Sequence, residues 1–239
     1  MKLSRIISNQ NGISRKQANA LIARGCVAVD GLKCQEAARE VSTFEQVTCE
    51  GRVVQAAVTA HYLMMNKPAG ILSATRDAAH RTVIDLIHPA FENLHIAGRL
   101  DRASTGLLIL TNDGIWSRRL TEPSLKKPKI YRVTTAQPIT PETAGHFADG
   151  VWFDHEQLRT SPAGLKILAD DLARVTIFEG RYHQIKRMFH AVGNRVTALH
   201  RETMGDITLD PELPAGGWRL LTADEISSVT DKASAVRFR

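Results

Sequence analysis

At 239 residues the chain is too long for one small module and too short for three full domains of roughly 150 residues, so one large domain with a small one is expected. Hydrophobic residues make up 43% and charged residues 23%, which excludes a disordered chain and a fibrous repeat. The net charge of +6 is modest but concentrated in three acid-free stretches. Residues 1–29 hold Lys2, Arg5, Arg15, Lys16 and Arg24. Residues 123–141 hold Lys126, Lys127, Lys129 and Arg132. Residues 180–201 hold Arg181, Lys186, Arg187, Arg195 and Arg201 with three histidines. Cations grouped this way suit a polyanion, because each one that meets a phosphate releases condensed counterions. A solvated basic surface is the ordinary alternative for any single stretch.

In chain order, Leu3, Ile6 and Ile7 have helical spacing and stop at Gly12. Ser14 and Gln17 then form a capping box for a second helix ending at Gly25. On that helix Ala18, Leu21 and Ile22 make an apolar face, and Arg15, Lys16 and Asn19 a neighbouring cationic arc. Val27 to Val29, the turn pair Asp30-Gly31 and Leu32 to Cys34 read as a tight hairpin, and a further strand and turn surround Glu50-Gly51. Cys26, Cys34 and Cys49 show no CxxC or Cys/His ligand spacing, as expected of structural thiols in a reducing cytosol. The opening MKLSRIISNQ lacks an apolar signal core, and no run approaches the roughly 18 apolar residues of a spanning helix. A cytoplasmic protein without a membrane partner is expected.

Helix, helix, hairpin, with the wording SRKQANALIARGCVAVDG, resembles the S4-like RNA-binding module of a ribosomal protein and several RNA-modifying enzymes. The resemblance covers about fifty residues and implies that Arg15 and Lys16 grip phosphates of folded RNA without reading sequence. Gln55 to Ala60 is short, small and uncharged, and the boundary is set at 58/59: an RNA-binding domain at 1–58 and a second domain at 59–239.

In the second domain Tyr62 to Met65 is an apolar strand running into the turn Asn66-Lys67-Pro68-Ala69-Gly70. Ile96-Ala97-Gly98 leads through Arg99 to Gly106 into the strand Leu107 to Leu110, then the turn Asn112-Asp113-Gly114 and a short helix. Lys129 to Val133 is a strand, Pro141 starts a helix capped by Thr140, and Arg174 to Phe178 is a strand. Ile185, Met188, Phe189 and Val192 mark the buried face of a helix from His183 to Val192. Strands and helices alternate without a βαβ period. The predicted class is α+β, a small S4-like α/β domain followed by a domain on a mixed, largely antiparallel sheet. The tail from Ser227 to Arg239 carries no readable signal and is expected to fray. No P-loop, dinucleotide glycine fingerprint or HExxH is present, so metal and cofactor chemistry have no support.

Three islands carry unusual combinations: AGRLDRASTGLLILTNDG around Asp101, KIYRV around Tyr131, and EGRYHQIKRMFHAVGN around Lys186. Singly, each has an ordinary explanation. Asp101 can cap a turn, Tyr131 can fill a strand, and Lys186 and Arg187 can face water. Together with MNKPAG they closely resemble the RsuA branch of the pseudouridine synthases, which isomerise uridine to pseudouridine within ribosomal RNA; the likeness spans nearly the whole chain. It implies that Asp101 is the catalytic aspartate, Tyr131 contacts the target base, and Lys186 pairs with the aspartate where many relatives carry arginine. Arg99, Arg181 and Arg187 would then grip phosphates or the detached uracil.

The chemistry explains these residue types. Pseudouridine formation breaks the bond between ribose C1′ and N1, turns the base and joins C5 to C1′, with no redox change, so no cofactor is required. A carboxylate can attack C1′, attack the base or remove a ribose proton, and the sequence leaves all three open. A nearby cation keeps it ionised in a water-poor site, and an aromatic face receives the extruded base. Likeness in EGRYHQIKRMF and LHRETMGDITLD implies a small-subunit (16S) rRNA substrate, free or in an assembly intermediate, and the family likeness a single target there, uridine 516; a monomer is expected. A large-subunit (23S) synthase, a non-catalytic rRNA-binding assembly factor, and an RNA glycosylase or nuclease are the competing readings.

Overall fold

The computed structural model describes residues 1–230; the part of the tail from 231 to 239 lies outside the described residues. The chain divides into two compact units, Met1–Ala60 and His61–Arg239.

In the first unit, helices α1 (Leu3–Ser8) and α2 (Arg15–Ala23) precede strands β1 (Val27–Val29), β2 (Leu32–Lys33), β3 (Val47–Cys49) and β4 (Arg52–Gln55). The strands form an antiparallel sheet in the order β2-β1-β3-β4. The capping box is formed: the Gln17 amide donates to Ser14 Oγ (3.3 Å) and the Ser14 amide to Gln17 Oε1 (2.8 Å). Asp30 and Gly31 both take positive φ, 49° and 78°, the geometry of a two-residue hairpin turn. Leu3, Ile7, Ala18, Ile22, Val27 and Val47 are fully buried, while Arg15, Lys16 and Asn19 are exposed.

The second unit contains β5 (Tyr62–Lys67), β6 (His95–Ala97), β7 (Thr105–Thr111), α3 (Gly114–Thr121), β8 (Lys129–Thr135), α4 (Glu142–Asp149), β9 (Trp152–Phe153) and β10 (Leu158–Arg159). It continues with β11 (Gly164–Ala169), β12 (Leu172–Ile177), α5 (Gln184–Ala191), β13 (Val196–Met204), β14 (Ile207–Thr208), β15 (Trp218–Leu220) and α6 (Ala223–Thr230). A nine-stranded sheet runs β11-β12-β8-β13-β7-β5-β15, with β14 paired to β13 and β6 to β7. Its pairings are antiparallel except β7 with β13, so the sheet is mixed and largely antiparallel.

Alternation along β7 explains why it is buried on both faces. Leu107 and Ile109 join Met64, Trp116, Leu120 and Ile207 in one core. Leu108 and Leu110 join Leu63, Met65, Val133 and Phe189 in the other. Where β7 meets β13, a Cβ on Gly106 would stand 2.4 Å from the Arg201 carbonyl oxygen, so only glycine permits this approach. The starts of α4 and α5 differ from the sequence reading. Pro141 occupies the N-cap of α4 while the Thr140 hydroxyl lies 3.4 Å from Thr143 Oγ1, leaving that end without a side-chain cap. His183 lies outside α5, as its left-handed N-cap at φ 50°. The tail residues Ser227 to Thr230 end α6 rather than fraying.

Candidate active site

Asp101 sits in the loop between β6 and β7. Its carbonyl accepts the Ser104 amide at 3.0 Å, closing a turn. The turn after β5 grips this loop: the Gly70 amide donates to the Arg102 carbonyl (2.8 Å), and Arg102 Nε returns a bond to the Gly70 carbonyl (3.0 Å). Lys67, fully buried, donates from one ammonium to the carbonyls of Pro68 (2.9 Å), Arg102 (3.2 Å) and Ser104 (2.9 Å). The MNKPAG turn is therefore the buttress of the aspartate loop. Sequence reasoning missed Lys67. Its signal is phase, since it continues the core-facing alternation Leu63, Met65 along β5.

On the other side of the loop, Gly98 takes φ 85°, and a Cβ there would lie 2.6 Å from Met204 Cε. Its carbonyl accepts Arg201 Nη2 at 2.8 Å. Asp101 is thus carried on a backbone fastened at both ends, which is how a loop holds a reactive group to fractions of an ångström.

The carboxylate of Asp101 is bracketed by residues from the start of α5. Lys186 Nζ donates to Oδ2 at 2.8 Å, and His183 Nε2 lies 3.3 Å from Oδ1. The left-handed backbone at His183 aims the imidazole back at Asp101, and one turn of helix brings Lys186 to the same carboxylate. Buried Gln184 anchors this entry: it accepts the Arg181 amide (3.0 Å) and donates to Glu179 Oε1 (2.9 Å). His183, a second missed residue, also stacks on Tyr182, with centroids 3.8 Å apart and planes at 20°, leaving Tyr182 76% exposed.

Asp101 lines a cleft of about 870 Å³, together with Arg99, Arg102, Lys129, Arg181 and Tyr182. That volume is typical of a small-ligand site. The Asp101 side chain is 27% exposed, so the carboxylate is reachable rather than sealed. Tyr131, on β8, shares a smaller cavity of about 90 Å³ with Asp101, Ser104, His183 and Gln184. There Ser104 Oγ is buried with no hydrogen-bond partner, alone in this among the described residues. The structure therefore gathers Asp101, Tyr131, Lys186, Arg99 and Arg181. Arg187 stands apart: its guanidinium pairs with Glu156 through both terminal nitrogens and lies 3.8 Å over the Phe153 ring. Arg15 and Lys16 belong to the other unit. Among the described residues no cluster of three or more His, Cys, Asp or Glu is placed to hold a metal.

A buttressed aspartate paired with a lysine, an aromatic beside it and arginines around the cleft is the arrangement that the three sequence islands imply. The family model for RNA pseudouridylate synthase matches residues 61–191. The chain belongs to that family. It is 49% identical to the ribosomal small subunit pseudouridine synthase A of Pseudomonas aeruginosa, over 96% of this chain and 100% of that protein. Identity to the synthase of the same name from Escherichia coli K12 is 43%, with the same coverage. A crystal structure of a pseudouridylate synthase superposes with a TM-score of 0.70 at 37% identity, covering 96% of this chain and 99% of the other. As a pseudouridine synthase the protein isomerises uridine to pseudouridine.

Proposed function

We propose that this synthase modifies one uridine of the small-subunit ribosomal RNA, uridine 516 of the 16S RNA, with Asp101 as its catalytic carboxylate. The observation that carries this is the Asp101–Lys186 ion pair at the wall of an open cleft, beside Tyr131. The small-subunit assignment rests on relatives named for the ribosomal small subunit at 40–49% identity across 96% of the chain.

In this reading the target leaves its stack and enters the cleft, where Tyr131 meets the base and Arg99 and Arg181 meet phosphates or uracil oxygens. Asp101 attacks C1′, attacks the base or removes a ribose proton. Each route needs the same anion, oriented and within reach, and Lys186 and His183 hold it so. The base turns, C5 bonds to C1′, the C5 proton leaves and N1 takes one up; atoms and electrons balance without a cofactor. Closing the cleft over the loosened glycosyl centre keeps water from hydrolysing it. The first unit acts as an S4-like module, its Arg15 and Lys16 face holding the RNA backbone.

The test is incubation of the purified protein with 16S and 23S rRNA, free and in assembling particles, followed by chemical mapping of pseudouridine. One new pseudouridine in the 16S RNA is expected, and none with Asp101→Asn. Modification of 23S RNA alone, or full activity in Asp101→Asn, would falsify the assignment.

A further inference from the structure

Lys129, in the cleft wall, has no part in the chemistry above. Lys129 stands two residues before Tyr131 on β8, in phase with Tyr131 and Val133, at a position the strand otherwise gives to its core. It is 7% exposed and lines the same cleft as Asp101. An ammonium can donate three hydrogen bonds. Among the described residues the one bond recorded for this group is to the Lys127 carbonyl, at 3.2 Å, and no carboxylate lies within ion-pair distance. Its neighbour makes the position more costly. Arg201, 1% exposed, donates to the carbonyls of Leu107 and Gly98, both at 2.8 Å, and likewise has no carboxylate partner among the described residues. Burial, and then the charge of Arg201, push the Lys129 ammonium downward.

Two buried cations without an anion are an unusual thing for a protein to keep, because buried charges are ordinarily paired. The carboxylates of the cleft are already committed. Asp101 is bracketed by Lys186 and His183, and Asp77 accepts the amides of Ala79 (2.9 Å) and His80 (2.7 Å). Among the described residues no carboxylate answers this charge, and a phosphate of RNA entering the cleft can supply the anion. Arg201 Nε and Nη2 are held on backbone carbonyls and its side chain does not line the cleft, which leaves it as a source of potential, whereas Lys129 lines the cleft with two N–H groups to spare.

We propose that Lys129 is a phosphate-binding residue, which takes one backbone phosphate of the RNA flanking the extruded uridine while Arg201 supplies further positive potential to the same spot. This rests on the reading of the cleft as an RNA site. A compact ammonium is suited to a phosphodiester oxygen as a point charge. Its role is binding and register, not chemistry, so it separates from Asp101 in experiment.

Removing a buried, unpaired charge relieves the fold, and this gives a test that a structural lysine would fail. Lys129→Met and Lys129→Arg are compared with the wild type in the full chain by thermal melting, by 16S rRNA binding across a salt series in an Asp101→Asn background, and by single-turnover rate. Lys129→Met is expected to melt at or above the wild type, to bind about tenfold more weakly, and to lower the slope of log K against log salt by about one, with the rate at saturating RNA within a few-fold. Lys129→Arg keeps the slope. If methionine prevents folding, Lys129→Gln is judged by the same slope. An unchanged affinity and slope in the uncharged variant overturns the proposal. So does a melting shift by inorganic phosphate that Lys129→Met removes while the RNA slope stays put, which would mark a free-anion site. Failure of the functional reading is a separate result: the wild type would form no pseudouridine in rRNA, whatever the slope.

Discussion

Burial pushes the Lys67 ammonium down to about 8, even though Asp101 pulls it upward. An unfolded lysine titrates near 10.5, so between those values the unfolded chain binds more protons than the folded one, and this group's contribution to stability rises with pH through that window. Activity is expected to run the other way. Above about pH 8 the amine loses its charge and one of the three N–H groups now shared among the Pro68, Arg102 and Ser104 carbonyls, and the Asp101 loop loosens. Urea unfolding from neutral pH to about 10 should show the rise, and the pH–rate profile an alkaline limb near 8; Lys67→Met should abolish the stability rise. Lys186 makes a different prediction. Lys186→Met removes the donor 2.8 Å from Asp101 Oδ2 and should cost roughly a hundredfold in the chemical rate with little change in RNA affinity. Lys186→Arg restores a cation and should recover most of that loss. Equal rates for the methionine variant and the wild type would rule out its part in holding the carboxylate. For the orphan hydroxyl of Ser104, Ser104→Ala should leave the melting temperature unchanged or raise it, since no hydrogen bond is broken and an unsatisfied buried hydroxyl is removed.

At the scale of elements, α2 carries a conflict that its sequence already announces. Its first turn holds Arg15 and Lys16 and no acid, so two cations sit at the positive end of the helix dipole. Arg15→Glu and Lys16→Glu should each stabilise the first unit by about 0.5 kcal/mol, measured by thermal or urea unfolding, while weakening RNA binding. A loss of stability instead would mean that these side chains support the fold. The capping box, the Asp30-Gly31 turn, the strands around Asp101 and Tyr131 and the buried face of α5 were legible because each rests on local rules: a cap, two positive φ values, an apolar run, a 3.6-residue stripe. The central strand β13 is not legible in that way. Its nine residues include His200, Arg201 and Glu202, which read as surface, and only the carbonyls of Leu107 and Gly98, brought from distant segments, make a buried Arg201 acceptable there. The candidate site divides the same way. Asp101, Tyr131 and Lys186 stand out as residue types in unusual wording, Lys67 shows only as a lysine in the core-facing phase of β5, and His183 acts through a left-handed turn that no spacing reveals. Arg187 has the sequence context of a cleft cation, yet Glu156 and Phe153 claim it.

For the whole molecule, positive charge is spread over both units, whereas the Asp101–Lys186 pair belongs to one of them. Affinity and chemistry should therefore be separable by salt. Each phosphate neutralised contributes about −0.7 to −0.9 to the slope of log K against log salt, so the slope counts contacts wherever on the protein they are made. Charge reversal of Arg15 and Lys16 together should lower that slope by about two and raise the RNA concentration needed for half-maximal rate, while leaving the single-turnover rate at saturating RNA within a few-fold of wild type. Asp101→Asn should do the converse: no pseudouridine at any RNA concentration, with the salt slope unchanged. The result that would sink this division is a double reversal in α2 that lowers the saturated rate as severely as the loss of Asp101, because the first unit would then take part in the chemical step itself.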